Sequence, residues 1–199
     1  VSPAGVNCYT SIVLRPTIAP TNAHHLTFVS AVALATTADE FLGKGASSLK
    51  WPNDMLLDSK KAAGILLEMD SDLDRVNFVI VGLGVNLNMK GRMFPAELRT
   101  TGTSLLEKCG KEIDRALFAA RLYLNMEIWY KKYLNEGFPP VIAAWRGFFR
   151  SEGKPVKVIC AGRVIEGICL GLDDHGALLV RTASGDTQRV VSGDMLMRP

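Results

Sequence analysis

SLKWPNDMLLDSKKAAGILLE, Ser48 to Glu68, carries far more polar specification than a plain hairpin needs. Read as a strand, Ser48–Trp51 sends Leu49 and Trp51 to one face and Ser48 and Lys50 to the other. Lys50 is then either a solvated side chain or the cation of a pocket. Pro52 removes a ladder donor and ends the strand. It delivers Asn53 and Asp54 at the strand end, where Asx residues also make ordinary turns. Asp58-Ser59 is a second turn signal, and Lys60-Lys61 follow it directly. Gly64 interrupts a strand that otherwise wants side chains, which suggests a bulge or the close approach of a ligand to the backbone. The stretch therefore predicts two or three short strands whose polar groups gather at their ends. Singly these signals are weak; sharing one hairpin, they point to a site.

The flanking text supplies a sheet and helices. "NCYTSIVL", Asn7–Leu14, reads as a strand ended by Pro16. Thr21–Leu42 is helical in pattern, with Leu26, Val29, Ala33 and Phe41 on one face and Gly43 as its stop. Its alanines allow close approach to a sheet. His24 and His25 fall near its start. "RVNFVIVGLGVNL", Arg75–Leu87, is a long β run predicted to pair with Ala63–Met69 through the polar turn DSDLD. Asn88–Lys111 reads as loop, with Gly91, Pro95 and Gly102. Asp114 predicts the N-cap of a long helix, Leu117, Ala120, Leu124, Ile128 and Tyr130 or Lys131 its core stripe, and Gly137 its stop. A shorter helix follows Pro139-Pro140 to about Phe149.

From Gly153 the texture changes to short strands separated by AGR, DDHG and SGD, with His175 in a turn. That predicts an all-β module the size of a small SH3-like barrel. The fold class is α+β: a mixed sheet with packed helices over 1–150, then the small barrel over 153–199.

Composition narrows the function. The 199 residues are 48% apolar and 22% charged, which is ordinary for a chain with a real core. The net charge of +3 is scattered rather than gathered into the stripe that a nucleic-acid surface wants; it better suits small anions such as a carboxylate or phosphates. Cys8, Cys109, Cys160 and Cys169 have no C-x-x-C spacing and the histidines none of the spacing of a metal cluster, so no metal site is expected. The thiols suit a reducing compartment such as the cytoplasm. No apolar run is long enough to span a bilayer, and no membrane partner is expected.

Gly82-Leu83-Gly84-Val85-Asn86 ends a buried strand, but a dinucleotide fingerprint needs a helix immediately afterwards, and Asn88, Met89, Lys90, Gly91 and Pro95 read as loop. The glycines instead allow something flat to lie against the backbone, with Asn86 at its edge. "GKGASS", Gly43–Ser48, lacks Walker spacing and is a helix stop and connector.

KWPND followed by KKxxGIL, then G-x-G-V-N at a strand end, resembles the catalytic core of the biotin protein ligases. S-P-x-G-x-N-x-Y at Ser2–Tyr9 resembles the segment just after that family's Gly/Arg-rich loop, and "VIEGICLGLDDHGALLV" its C-terminal SH3-like domain. The likeness thus runs nearly end to end and implies the class II synthetase-like catalytic fold. It also implies two half-reactions. Biotin and MgATP give biotinyl-5′-AMP and pyrophosphate; a lysine of a biotin carboxyl carrier protein then attacks the mixed anhydride. The resemblance makes Lys61 the contact to the biotin carboxylate and α-phosphate, and Lys50 a phosphate contact. It makes Asn53 a nucleotide-side or metal-hydrate contact, Asn86 a group facing the nucleotide, Asn7 and Tyr9 further nucleotide or pocket contacts, and Asp54 the acid that helps deprotonate the carrier lysine. Gly64 and Leu66 would line the biotin pocket and Gly82 and Gly84 its floor, while Trp51 reads as core packing.

The family's Gly/Arg-rich loop would precede Ser2 and is outside this sequence, as are the first strands and helix of its catalytic domain. The resemblance implies that a chain without that loop holds its adenylate poorly. It leaves open a homodimer through exposed sheet edges, and nucleic acid as a partner only through a helix-turn-helix outside the chain. Two alternatives remain: a lipoate or octanoate transferase-like enzyme, and a non-catalytic biotin- or nucleotide-binding module.

Overall fold

A computed structural model describes residues 2–197, with the side chain of Met197 excluded. The last two residues of the expected second domain lie outside the described residues. The chain runs β1 (Cys8–Leu14), α1 (His25–Leu42), β2 (Ser47–Lys50), β3 (Asp54–Leu57), β4 (Lys60–Ser71), β5 (Val76–Val85), α2 (Leu105–Cys109), α3 (Arg115–Glu136) and α4 (Pro139–Phe148). Five short strands follow: β6 (Pro155–Cys160), β7 (Arg163–Leu172), β8 (Leu178–Arg181), β9 (Thr187–Val190) and β10 (Asp194–Met197).

The first sheet has the order β1-β5-β4-β3-β2. Its ladders are all antiparallel, because every connection within β2–β5 is a short turn. Parallel pairing, which the expectation of a mixed sheet allowed, is confined to two isolated bridges, Leu49 with Phe149 and Lys61 with Gly102. Along β5, Val79, Val81, Leu83 and Val85 face the core, while Phe78, Ile80, Gly82 and Gly84 face outward. Among the described residues α1 covers one face of the sheet, with α4 beside it at β2. Helix α1 is buried nearly all round, from Leu26 to Ala38, so it shows no strong amphipathic stripe. Its start is at His25, after a 3-10 turn over Pro20–Asn22, rather than at Thr21. His25 stacks on Phe138 and its Nδ1 lies 3.1 Å from Tyr133 Oη. Burial first, then the neighbouring His24 and His175, push its imidazole down to about 4.

α3 begins and ends as expected, with Asp114 accepting from Leu117 N and Gly137 closing it. Its buried face is a correction. Leu117, Ala120, Leu124, Ile128 and Lys131 are exposed and Tyr130 is only half-buried; Phe118, Leu122, Asn125, Met126 and Tyr133 face inward. The helix carries apolar residues at helical spacing on two faces, and α1 selects one of them. Asn125 Nδ2 donates to Thr37 Oγ1, Phe41 packs on Phe118, and Arg121 pairs with Glu40. Each large side chain buried this way contributes roughly 1.5–3 kcal/mol.

The second sheet, the C-terminal module expected from the sequence, has the order β10-β6-β7-β8-β9, with no ladder joining β9 to β10 among the described residues. Its Asp173–Gly176 turn is seated on the first sheet. Trp51 Nε1 donates to Gly176 O at 3.1 Å, Phe28 packs against Gly176, and Arg146 donates to Leu172 O and Asp174 Oδ1.

Candidate functional site

Strand register puts five of the sequence-predicted residues in one line. Lys50 pairs with Asp54 across β2–β3, Asp54 with Gly64, Gly64 with Gly84, and Gly84 with Tyr9 on β1. Directly opposed residues project to the same face, and this row lies on the face that α1 leaves open. Leu66, Gly82 and Ser11 form the adjoining row. Tyr9, Gly64 and Gly84 of the first row, all of the second, and Asn53 and Lys61 line an open cleft of about 560 Å³, with Lys50 and Asp54 continuing the first row beyond that lining.

Lys61 reaches that face because of a bulge. Met55 pairs with Ala63 but Leu56 with Lys61, so Ala62 is an extra residue on β4. A regular ladder would set Lys61 opposite Leu57, a residue 1% exposed, and send its ammonium into the core. The extra residue turns Lys61 outward instead and leaves the small Ala62 and Ala63 buried side by side. The bulge expected near Gly64 thus sits two residues earlier. Gly64 makes room instead, since a Cβ there would lie 3.2 Å from Lys61 Cε and 3.3 Å from its Nζ. The missing side chain is the space that the lysine occupies.

Three charges meet in the row. Lys61 Nζ is 2.5 Å from Asp54 Oδ1, and Lys50 Nζ is 3.4 Å from Asp54 Oδ2. Asp54 Oδ1 is sealed from solvent and takes no hydrogen bond of good angle, so the Lys61 ammonium faces it as a plain ion pair. The Asp54 side chain is 11% exposed and that of Lys61 53%. Lys61, the half-exposed member of the cluster, presents an ammonium to a cleft floored by glycines, and a cation so placed offsets the charge of an approaching anion.

The cleft walls are apolar and accessible: Leu66 and Tyr9 are each 64% exposed. The Tyr9 ring lies over Gly84, where a Cβ would meet it at 3.1 Å, whereas one at Gly82 would make only ordinary contacts.

The three asparagines are scaffold ties. Asn53 Nδ2 donates to Ile65 O at 2.7 Å, and Asn86 Nδ2 to Thr103 O at 3.1 Å. Buried Asn7 accepts from Leu87 N at 3.1 Å and places its amide nitrogen 2.8 Å from Ser2 Oγ and 3.5 Å from both Tyr9 Oη and Asn86 Oδ1. They fasten the strand ends that surround the cleft.

The segment read as loop holds residues that the sequence reading missed. It contains 3-10 turns over Gly91–Met93 and Ala96–Leu98, then α2. Ser104 caps α2 by accepting from Glu107 N, the S-x-x-E signature that was legible in "SLLE". More directly, Lys61 N donates to Thr101 O at 2.7 Å and Thr103 N donates to Lys61 O at 3.0 Å. This segment therefore clamps the Lys61 backbone.

Residues 1–86 match the Biotin/lipoate A/B protein ligase family, and residues 153–198 match the Biotin protein ligase C terminal domain. The Biotin--[acetyl-CoA-carboxylase] ligase of Paracoccus denitrificans is 35% identical over 189 residues, covering 93% of this chain and 78% of that protein. The chain belongs to the biotin protein ligase family. The Bifunctional ligase/repressor BirA of Bacillus subtilis is 36% identical over 98% of this chain, which spans only 59% of that relative's length. Among solved structures, the biotin protein ligase from Aquifex aeolicus in complex with biotin and ATP aligns with a TM-score of 0.83 at 27% identity, covering 97% of this chain and 78% of that one. Among the described residues no helix is long and apolar enough to cross a membrane.

Proposed function

We propose that the protein is an ATP-dependent ligase that activates biotin as biotinyl-5′-AMP and passes the biotinyl group to a lysine of a biotin carboxyl carrier protein. The observation that carries this reading is the Lys50–Asp54–Lys61 cluster set in one row with the Gly64–Gly84 floor. In the first step a biotin carboxylate oxygen attacks the α-phosphorus and pyrophosphate leaves. Two anions must approach, and the ammoniums of Lys61 and Lys50 offset their repulsion in a prearranged site. Lys61, the more exposed of the two, touches the biotin carboxylate and α-phosphate; Lys50 faces the phosphates. Mg²⁺ arrives with the nucleotide as part of MgATP.

Biotin lies along Gly64, Leu66, Gly82 and Gly84, and the nucleotide toward Tyr9, Asn7, Asn53 and Asn86, whose ties keep that end of the cleft in shape. In the second step the carrier amine attacks the anhydride carbonyl and AMP departs. Asp54, freed from Lys61 as the ammonium follows the departing phosphate, accepts the amine proton. Residues 1–150 form the catalytic domain and 153–199 a second domain. Four free cysteines, Cys8, Cys109, Cys160 and Cys169, are in keeping with a reducing cytoplasm.

Native mass spectrometry of the protein with biotin, ATP and Mg²⁺, with lipoate in parallel, tests the reading. A biotin-dependent adduct of biotinyl-AMP mass is expected. A lipoate-dependent adduct, or biotin bound without adenylate, overturns it in favour of a lipoate enzyme or a binding module.

A further inference from the structure

The second sheet grips the KWPND segment at two points. One is the hydrogen bond from Trp51 Nε1 to Gly176 O. The other is ionic: Asp194 Oδ1, at the first residue of β10, lies 3.7 Å from Lys50 Nζ. Asp194 is held in register opposite Ile159, just after Gly193, whose φ of 145° and whose place 2.6 Å (for a Cβ) from Ile159 O admit no side chain. The turn is therefore fixed, and so is the carboxylate that follows it.

Lys50 consequently stands between two carboxylates from two sheets, Asp54 at 3.4 Å and Asp194 at 3.7 Å. Its side chain is 16% exposed, whereas that of Asp194 is 66% exposed. The contrast with Lys61 is informative: with no second carboxylate within ion-pair distance among the described residues, Lys61 closes to 2.5 Å on Asp54. Asp194 draws Lys50 away from the same tight pairing. Lys50 Nζ donates to Asp54 Oδ2 at a long 3.4 Å and is shared with Asp194 rather than spent on one oxygen. Nothing in the KWPND or KKxxGIL text requires a partner 144 residues downstream of Lys50.

We propose that Asp194 is a positioning residue that sets the Lys50 ammonium from the second sheet. Its effect on adenylation rests on the ligase reading above; its effect on Lys50 does not.

Two measurements on the full-length protein separate these. In competitive acylation read by mass spectrometry, Asp194→Asn is expected to raise the labelling rate of Lys50 about fivefold, the scale of a rim ion pair, with Lys61 unchanged and Asp194→Glu close to the parent. In adenylate formation, Asp194→Asn is expected to lower kcat about fivefold by the same reasoning, and Asp194→Glu to restore most of it. In a Lys50→Met background the Asp194→Asn effect should vanish, which a purely structural role for Asp194 would not produce. Unchanged Lys50 labelling overturns the proposal, as does a full Asp194→Asn loss in the Lys50→Met background. If the parent protein makes no adenylate, the ligase reading fails and the labelling experiment alone decides the role of Asp194.

Discussion

The β3–β4 hairpin and the Asn88–Ile113 segment both hold Lys61, by different means. The hairpin uses side chains: Asp54 for the charge, Gly64 for the space, Ala62 for the bulge. The later segment uses backbone, through Thr101 O and Thr103 N. Side-chain chemistry leaves residue types in the sequence, whereas a backbone hydrogen bond can be made by almost any residue except proline. The first region is accordingly conspicuous as text and the second is not, although the lysine depends on both.

The largest test of the contrast is Lys61→Ala. Adenylate formation should fall about 10²–10³-fold, the cost of removing a prearranged electrostatic contact, with thermal unfolding nearly unchanged because the side chain is half exposed. Near-normal turnover in that variant would remove Lys61 from the chemistry.

Next comes Gly102→Val. A Cβ at 102 lies 3.0 Å from Leu98 O and from Phe94 Cε1, so the segment must shift, at about 1–3 kcal/mol of stability. Adenylation at saturating substrate should drop about tenfold as Lys61 loses its backbone clamp. Stability loss without a rate effect at a temperature where the variant is folded would mean that the clamp is dispensable.

Ser104→Ala removes the α2 cap and the bond from Ser104 Oγ to Met89 O, with an expected cost of about 1–2 kcal/mol in denaturant unfolding. The smallest effect is expected from Gly64→Ala. The added methyl crowds the flexible end of Lys61 and meets Asp54 Oδ1 at an ordinary 3.7 Å, so unfolding should change by less than about 0.5 kcal/mol. Adenylation should nevertheless fall about threefold, since a displaced ammonium is a misplaced one. If Gly64→Ala costs stability and spares the rate, the hairpin glycine serves the fold and not the lysine.

The outline of the fold was legible where punctuation and period agreed. Pro16, Gly43, Asp114 and Gly137 mark ends that the structure keeps, allowing for the late start of α1. The α3 face was not legible, because Leu117, Leu124 and Ile128 repeat as regularly as Phe118, Leu122 and Met126, and only the position of α1 breaks the tie. Among site residues, the row through Lys50, Asp54, Gly64 and Gly84 could be named from the text but not aligned from it. Alignment depends on register, and register on a bulge at Ala62 that two consecutive alanines do not announce.

Residue type and local spacing were enough for most strands and helices, for the gathering of Lys50, Asp54, Lys61 and the glycines into short segments, and through them for the family. These are local properties, and a local pattern can carry them. Packing settled which way Lys61 points, what secures its backbone, and that Asp194 stands beside Lys50. Those depend on contacts between segments that lie far apart along the chain, which the assembled fold sets and no short stretch of sequence encodes.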